Sequence, residues 1–133
     1  MQLSNIFWMD MAWLTDPLVL PFPPAVLFRN RSGGRHWAVG LSQKRAVKEQ
    51  TYLLTKRWVR EQDIRLPNPV GLCFVAEVQT LRRDAANVLD AAKPIIDSFA
   101  DALEVNDRSF RPVIIDMQRG KRDALHVRLF RAM

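Results

Sequence analysis

The sequence predicts a mixed α/β fold, in which a single domain has a small mixed sheet packed by two to three helices. The first observation is the alternating apolar stretch Val70 to Leu81, which is typical of a central strand. The second is a pair of strand-like runs, Phe110 to Met117 and Ala124 to Arg131. The third is helical apolar spacing in Leu41 to Arg60 and again in Arg82 to Asp107. A chain of 133 residues suits one domain over its whole length.

The N-terminal region adds one more predicted strand. Leu3 to Leu14 is rich in bulky and aromatic residues, and Trp8 and Trp13 are expected in the core. Prolines at positions 17, 21, 23 and 24 then force an extended connection. Trp8, Trp13, Phe22 and Phe28 are alternatively candidates for a surface between subunits, since aromatic residues are enriched at interfaces.

The C-terminal region is predicted to form a hairpin. Gln118 to Asp123 carries turn residues between the last two strands. In the second of these strands Leu125, Val127 and Leu129 fall on one face, which is expected to be buried.

Composition narrows the class of partner. The net charge of +6 and the pI near 10.2 favour an anionic partner, with nucleic acid leading. Cys73 is the single cysteine, which excludes an internal disulfide and favours a reducing, cytoplasmic compartment. The N-terminus lacks a basic leader and no apolar run reaches membrane-spanning length, so neither secretion nor a membrane partner is expected.

Positive charge is concentrated between Arg29 and Arg60, where nine basic residues face one acidic residue, Glu49. A loop with two adjacent glycines and the outward face of the following helix are both suited to gripping a phosphate backbone. The predicted contacts are Arg29, Asn30, Arg31, Arg35 and His36 in the loop and Lys44, Arg45, Lys48, Lys56 and Arg57 on the helix. A merely solvated basic surface is the alternative.

Negative charge is concentrated between Arg82 and Asp107, which hold six of the fourteen acidic residues. An acidic segment in a chain that should bind polyanions is explained by a divalent metal between the two. Asp90, Lys93 and Asp97 share one helical face, and Pro94 predicts a kink or two short helices.

These residues resemble the RusA-like Holliday-junction resolvases, and the phage-type members in particular. The resemblance lies in R-R-D-x-x-N at Arg82 to Asn87, the lysine–aspartate step at Lys93 and Asp97, and the acidic turn Asn106-Asp107 before a strand. It extends from about Leu18 to Leu129.

The resemblance implies a homodimeric endonuclease that uses Mg²⁺, or Mn²⁺ in its place, to cut four-way DNA junctions in recombination and repair. It assigns the catalytic roles to Asp84, Lys93 and Asp107. Asp84 and Asp107 would bind the metal, and Arg82 and Arg83 would contact DNA. No small-molecule substrate is implied, and the expected place of action is the cytoplasm of a bacterium or phage-infected host.

One departure concerns the metal. The commoner family pattern has a second aspartate where this chain has Ala86. Asp90 is the best replacement ligand, and Asp97 and Asp116 are weaker candidates. Asp84 read alone is also a good helix N-cap, and Asp107 a good turn residue. The alternatives are therefore a non-catalytic nucleic-acid-binding module and, less favoured, an assembly protein with an acidic partner.

Overall fold

The computed structural model describes residues 6–28, 37–63, 65–81 and 84–132, without the side chains of 37–39. The elements in chain order are β1 (Leu18–Pro21), a 3-10 turn (Ala25–Leu27), α1 (Trp37–Gln62), β2 (Val70–Val78), α2 (Ala85–Ala91), α3 (Lys93–Leu103), a second 3-10 turn (Asp107–Ser109), β3 (Phe110–Arg119) and β4 (Ala124–Phe130).

The strands form one mixed sheet in the order β1-β4-β2-β3. β2 runs parallel to β3 and antiparallel to β4, and β1 pairs antiparallel with β4. With three helices packed against this sheet, the predicted mixed α/β fold is confirmed.

β2 is the central strand predicted from its sequence, and it is buried on both sides. Leu72 and Phe74 face the helices and belong to the main core. We call this face of the sheet the helix side. Cys73 and Val75 face the other way, into a smaller cluster that we call the outer side. Because both sides are covered, the strand is apolar almost throughout.

α1 and α3 cover the helix side and pack against each other. Val47 and Trp58 from α1 meet Ile95 and Phe99 from α3 in the main core. Thr51 and Thr55 are also buried, and each hydroxyl donates to the carbonyl four residues earlier. Polar side chains are therefore tolerated inside because their hydrogen bonds close within the helix.

The predicted break in the acidic segment is confirmed. α2 ends at Ala91, and α3 starts at Lys93 with Pro94 in its first turn, where the missing N–H has no helical partner to lose. The break separates Asp90 on α2 from Lys93 and Asp97 on α3.

The predicted strand Leu3 to Leu14 is wrong for its described part. Residues 6–14 contain only an isolated bridge between Trp13 and Phe130. The bulky side chains lie across the outer side instead, with Trp8 and Trp13 edge-to-face at 5.4 Å between ring centroids. Phe28 is buried in the main core, so its side chain is not available for a surface between subunits.

The predicted hairpin is also wrong. β3 and β4 are both strands, but β2 lies between them, so residues 120–123 pass over the end of β2. Gly120 allows this crossing, because a Cβ there would lie 2.3 Å from Glu77 Oε2. Leu125, Val127 and Leu129 do share the buried helix side, as their alternation predicted.

Candidate functional site

Asp84 lies at the start of α2, just after the end of β2. Its side chain is exposed, and Oδ1 accepts the backbone N–H of Asn87 at 2.8 Å, so it caps the helix. The Asn87 amide also donates to Oδ2 at 3.4 Å. The cap predicted from the sequence is present, and Asn87 holds both carboxylate oxygens in a fixed direction.

Asp107 opens the 3-10 turn that leads into β3. Its side chain is exposed, and the preceding Asn106 fixes the turn by accepting the Arg108 N–H at 2.9 Å. Asp97, Asp101 and Asp107 line one shallow surface hollow with Asn106. The structure thus joins Asp107 to the C-terminal half of α3.

Asp84 and Asp107 stand at the two ends of the connection between parallel strands. Val70 pairs with Phe110 and Val78 with Arg119, so β2 and β3 begin and end together. Asp84 follows the end of β2, whereas Asp107 precedes the start of β3. Nine residues of strand span roughly 26 Å at about 3.3 Å per residue. One chain therefore places the two carboxylates toward opposite ends of the sheet.

The remaining acidic candidates do not complete a site around Asp84. Asp90 and Lys93 are exposed on either side of the helix break, and Asp97 is half-buried at the hollow. Asp116 pairs with Val75, so it lies on the outer side of the sheet, away from the helices. Among the described residues no three His, Cys, Asp or Glu side chains are grouped to hold a metal ion.

The N-terminal half of α1 forms a basic groove. Its lining residues are Leu41, Lys44, Arg45, Lys48 and Glu49. Three predicted DNA contacts therefore lie on one open face of the helix, together with the acidic Glu49. Lys56 and Arg57 lie further along α1, where Lys56 stacks over Tyr52 and Arg57 pairs with Glu61.

The part of α1 that carries the basic groove is joined to α3 by a hydrogen bond. The Ser98 hydroxyl donates to the Lys48 carbonyl at 2.5 Å, and Asp97 precedes Ser98. This contact with the Lys48 main chain holds α3 against the part of α1 that carries the basic groove. The other predicted DNA contacts, Arg29, Asn30, Arg31, Arg35, His36, Arg82 and Arg83, lie outside the described residues.

Sequence reasoning missed a polar cluster at the end of β2. His126 Nε2 lies 2.9 Å from Glu77 Oε1, Arg122 lies 3.5 Å from the same oxygen, and the Lys121 N–H donates to Oε2. Burial alone would raise the pKa of Glu77, but these partners hold it below its usual value. The sequence signal that could have revealed this cluster is Glu77, the single acidic residue in the otherwise apolar strand β2.

The Glu77 cluster fixes the loop that crosses β2. The Gly120 N–H donates to the Val78 carbonyl, and the Gln79 N–H to Asp123 Oδ1. His126 is thus a structural partner of Glu77 in this fold. The cluster stabilises the same end of the sheet from which the chain continues to Asp84.

Comparisons with known proteins add no family. No protein-family model matches this sequence, and no curated protein matches it significantly. In the described part of the chain, no helix is both long and apolar enough to cross a membrane.

Proposed function

We propose that this chain is a metal-dependent endonuclease that cuts branched DNA, with four-way junctions as the substrate that the resemblance implies. The observation that supports the proposal is the packing of α1, which carries the basic groove, against α3, which carries Asp97 and Asp101. Binding of a phosphate in this groove would bring it close to carboxylates, and a cation between them would remove the repulsion.

Mg²⁺ is the cation that this chemistry favours, since it takes carboxylate oxygens and keeps several waters. When bound, it would supply an activated water and offset charge on the phosphate. Asp84 and Asp107 are the proposed ligands, with Asp90 proposed in place of the carboxylate absent at Ala86. Lys93 would approach the phosphate as a positioned ammonium.

The described residues of one chain do not fit such a metal site, because no group of three ligands is present and Asp84 and Asp107 lie toward opposite ends. A site that uses both aspartates fits two copies better than one. A homodimer also suits a four-way junction, whose near-twofold symmetry calls for paired cuts. We place this activity in the cytoplasm of a bacterial or phage-infected cell.

A synthetic four-way junction tests the activity directly. We expect cleavage with Mg²⁺ or Mn²⁺, none with a chelator, and a loss of at least 100-fold for Asp84→Asn and for Asp107→Asn. Asp10→Asn is the matched control, since Asp10 is exposed in the segment that covers the outer side. Cleavage that survives in both test variants excludes the proposed ligands.

Mixed subunits test whether the two aspartates act across a dimer. If each site takes Asp84 from one copy and Asp107 from the other, a mixed dimer of the two inactive variants contains one intact site. Mixing them should then restore nicking of one strand. Absence of recovery, with mixed dimers shown by mass, would place both aspartates in one subunit's site.

The second candidate is a nucleic-acid-binding module without catalysis. Ala86, exposed at the start of α2 where the family pattern carries a carboxylate, favours it. This reading predicts that the junction shifts in a gel, but is not cut at any Mg²⁺ or Mn²⁺ concentration.

A further inference from the structure

A cavity of about 240 Å³ lies between α1, the end of α3 and β4. Three buried residues, Thr15, Trp58 and Leu129, form its floor. Its rim is half-buried and is lined by Val59, Gln62, Leu66, Leu103 and Val105. An apolar cavity of roughly 150 Å³ is enough to bind benzene. This cavity therefore has room for a single substituted ring, which can enter across the half-buried rim.

Trp58 brings an unsatisfied hydrogen-bond donor to the wall of the cavity. The side chain is only 5% exposed, and its indole N–H has no partner among the described residues. Packing against Phe99, at 5.9 Å between ring centroids, holds the indole in place. A buried donor without a partner is rare in a native fold, and an acceptor that binds in the adjoining cavity would satisfy it.

The other polar groups of the wall also offer donors. The Thr15 hydroxyl oxygen accepts the Leu129 N–H at 3.1 Å, so the hydroxyl hydrogen can be donated to a ligand. Gln62 Oε1 accepts the Asp16 N–H at 2.9 Å, which leaves the Nε2 group to donate. None of the described residues that line the cavity is charged. The wall therefore suits a neutral ligand that accepts hydrogen bonds.

We propose that this cavity binds a small neutral carbonyl compound, whose apolar body packs against Leu103 and Leu129 and whose oxygen accepts the Trp58 N–H. A carbonyl oxygen accepts two hydrogen bonds without carrying a charge, which matches a few donors in a mostly apolar cavity. Binding here does not depend on the proposed nuclease activity, because the described lining includes none of the proposed metal ligands or DNA contacts.

A matched pair of probes tests the hydrogen bond. Acetophenone and α-methylstyrene have nearly the same shape, but only the ketone has an oxygen that can accept. Titration of the ¹⁵N-labelled protein with acetophenone should move the Trp58 indole N–H resonance downfield, with a dissociation constant on the order of 1 mM. The indole resonances of Trp8 and Trp13, on the outer side of the sheet, should stay in place.

Trp58→Phe keeps an aromatic ring but removes the N–H, and it also identifies the Trp58 resonance. In this variant, followed through the Val105 amide, acetophenone should bind about fivefold more weakly, whereas α-methylstyrene should change much less. Because the two probes match in shape, the effect of the smaller ring on the cavity cancels in the comparison.

Filling the cavity tests where the probes bind. Val59→Phe, at the half-buried rim, should weaken both probes at least 10-fold. Leu53→Phe, at a side chain 63% exposed on the same helix, should change neither. Circular dichroism shows whether both variants fold, and if Val59→Phe does not, the titrations of the unsubstituted protein and of Trp58→Phe still decide.

Three results overturn the proposal. The first is a Trp58 indole resonance that stays in place up to the solubility limit of acetophenone. The second is an equal loss of affinity for both probes in Trp58→Phe, which would mean an apolar cavity that does not recognise the carbonyl. The third is an equal response of Val59→Phe and Leu53→Phe, which would place the probes elsewhere on the protein.

Discussion

Asp84 has a structural role and a proposed catalytic role, and two different substitutions separate them. Its carboxylate caps α2 through the Asn87 N–H, and it is also a proposed metal ligand. Asn caps a helix as well as Asp does, whereas Ala loses about 1 kcal/mol. We therefore expect Asp84→Asn to retain stability but lose cleavage, and Asp84→Ala to lose both.

Urea unfolding and junction cleavage measured on the same samples check this separation. If Asp84→Asn cuts like the unsubstituted protein, the carboxylate is only a cap.

Glu77 makes stability depend on pH in acid. Since its folded pKa lies below the usual value, its contribution is present above the unfolded pKa and is lost as pH falls through the folded one. Glu77→Gln should cost about 1–3 kcal/mol near pH 7, because it disturbs the hydrogen bonds that the carboxylate makes with His126 and Lys121. The difference between the two proteins should shrink below about pH 4.5.

Urea unfolding at pH 7 and at low pH measures this difference. Glu61→Gln, an exposed i,i+4 pair with Arg57, is the control and should change little. A deficit that stays constant across the acid range would contradict the titration of Glu77.

At the scale of elements, α3 ends in a conformation that its sequence does not favour. Glu104 adopts φ 59°, in the left-handed region where glycine is usual. Glu104→Gly should raise the free energy of unfolding by about 0.5–1 kcal/mol, because it removes a side chain from that region. Asp101→Gly, exposed within the same helix and equal in charge change, should lower it by about 1 kcal/mol.

Thermal and urea unfolding of the two glycine variants give the comparison. A loss of stability in both would show that the backbone at residue 104 relaxes without cost.

The N-terminal segment acts as a cover for the outer side of the sheet. Trp13 packs on the cluster around Cys73 and lies 5.8 Å from the Phe130 ring. Trp13→Ala should cost roughly 2 kcal/mol, since the indole is only half-buried. It should also speed modification of Cys73 by a thiol reagent. Phe7→Ala, at a side chain 71% exposed, should do neither.

Thiol modification rates under native conditions check this role. Equal rates for the two variants would mean that other residues shield Cys73.

The helices and the buried faces of the strands followed from local sequence, whereas the pairing of distant parts did not. Periodicity places Val47 and Leu125 on buried faces without knowledge of their neighbours. The predicted hairpin is wrong because local sequence does not determine which strand pairs with β4. β2, which is buried on both sides, lies beside β4 in place of β3. The aromatic residues between positions 6 and 14 indicated a strand, but their side chains cover the outer side of the sheet instead.

The candidate site divides in the same way. The Asp84 cap and the helix break at Pro94 were predictable, since each depends on neighbours in sequence. The distance between Asp84 and Asp107 was not, because it follows from the parallel pairing of β2 with β3.

For the whole molecule, the +6 charge should make DNA binding fall steeply with salt. The double variant Lys44→Ala/Arg45→Ala should lower the log–log salt slope by about 0.9 per lost phosphate contact. Arg57→Ala/Arg60→Ala removes the same charge from the same helix outside the basic groove. It should change the slope less.

Filter binding at several salt concentrations gives both slopes. Equal changes in the two double variants would assign the effect to net charge rather than to the basic groove.

The position of β4 in the sheet also governs when this protein can fold. β4 is the last of the four strands to be synthesised, yet it lies between β1 and β2 and pairs with both. Leu18 meets Val127 across more than a hundred residues of chain. Contacts so distant in sequence form slowly, and the earlier strands keep open edges until β4 emerges from the ribosome. Nascent chains that lack β4 should therefore be the species that aggregate or engage chaperones.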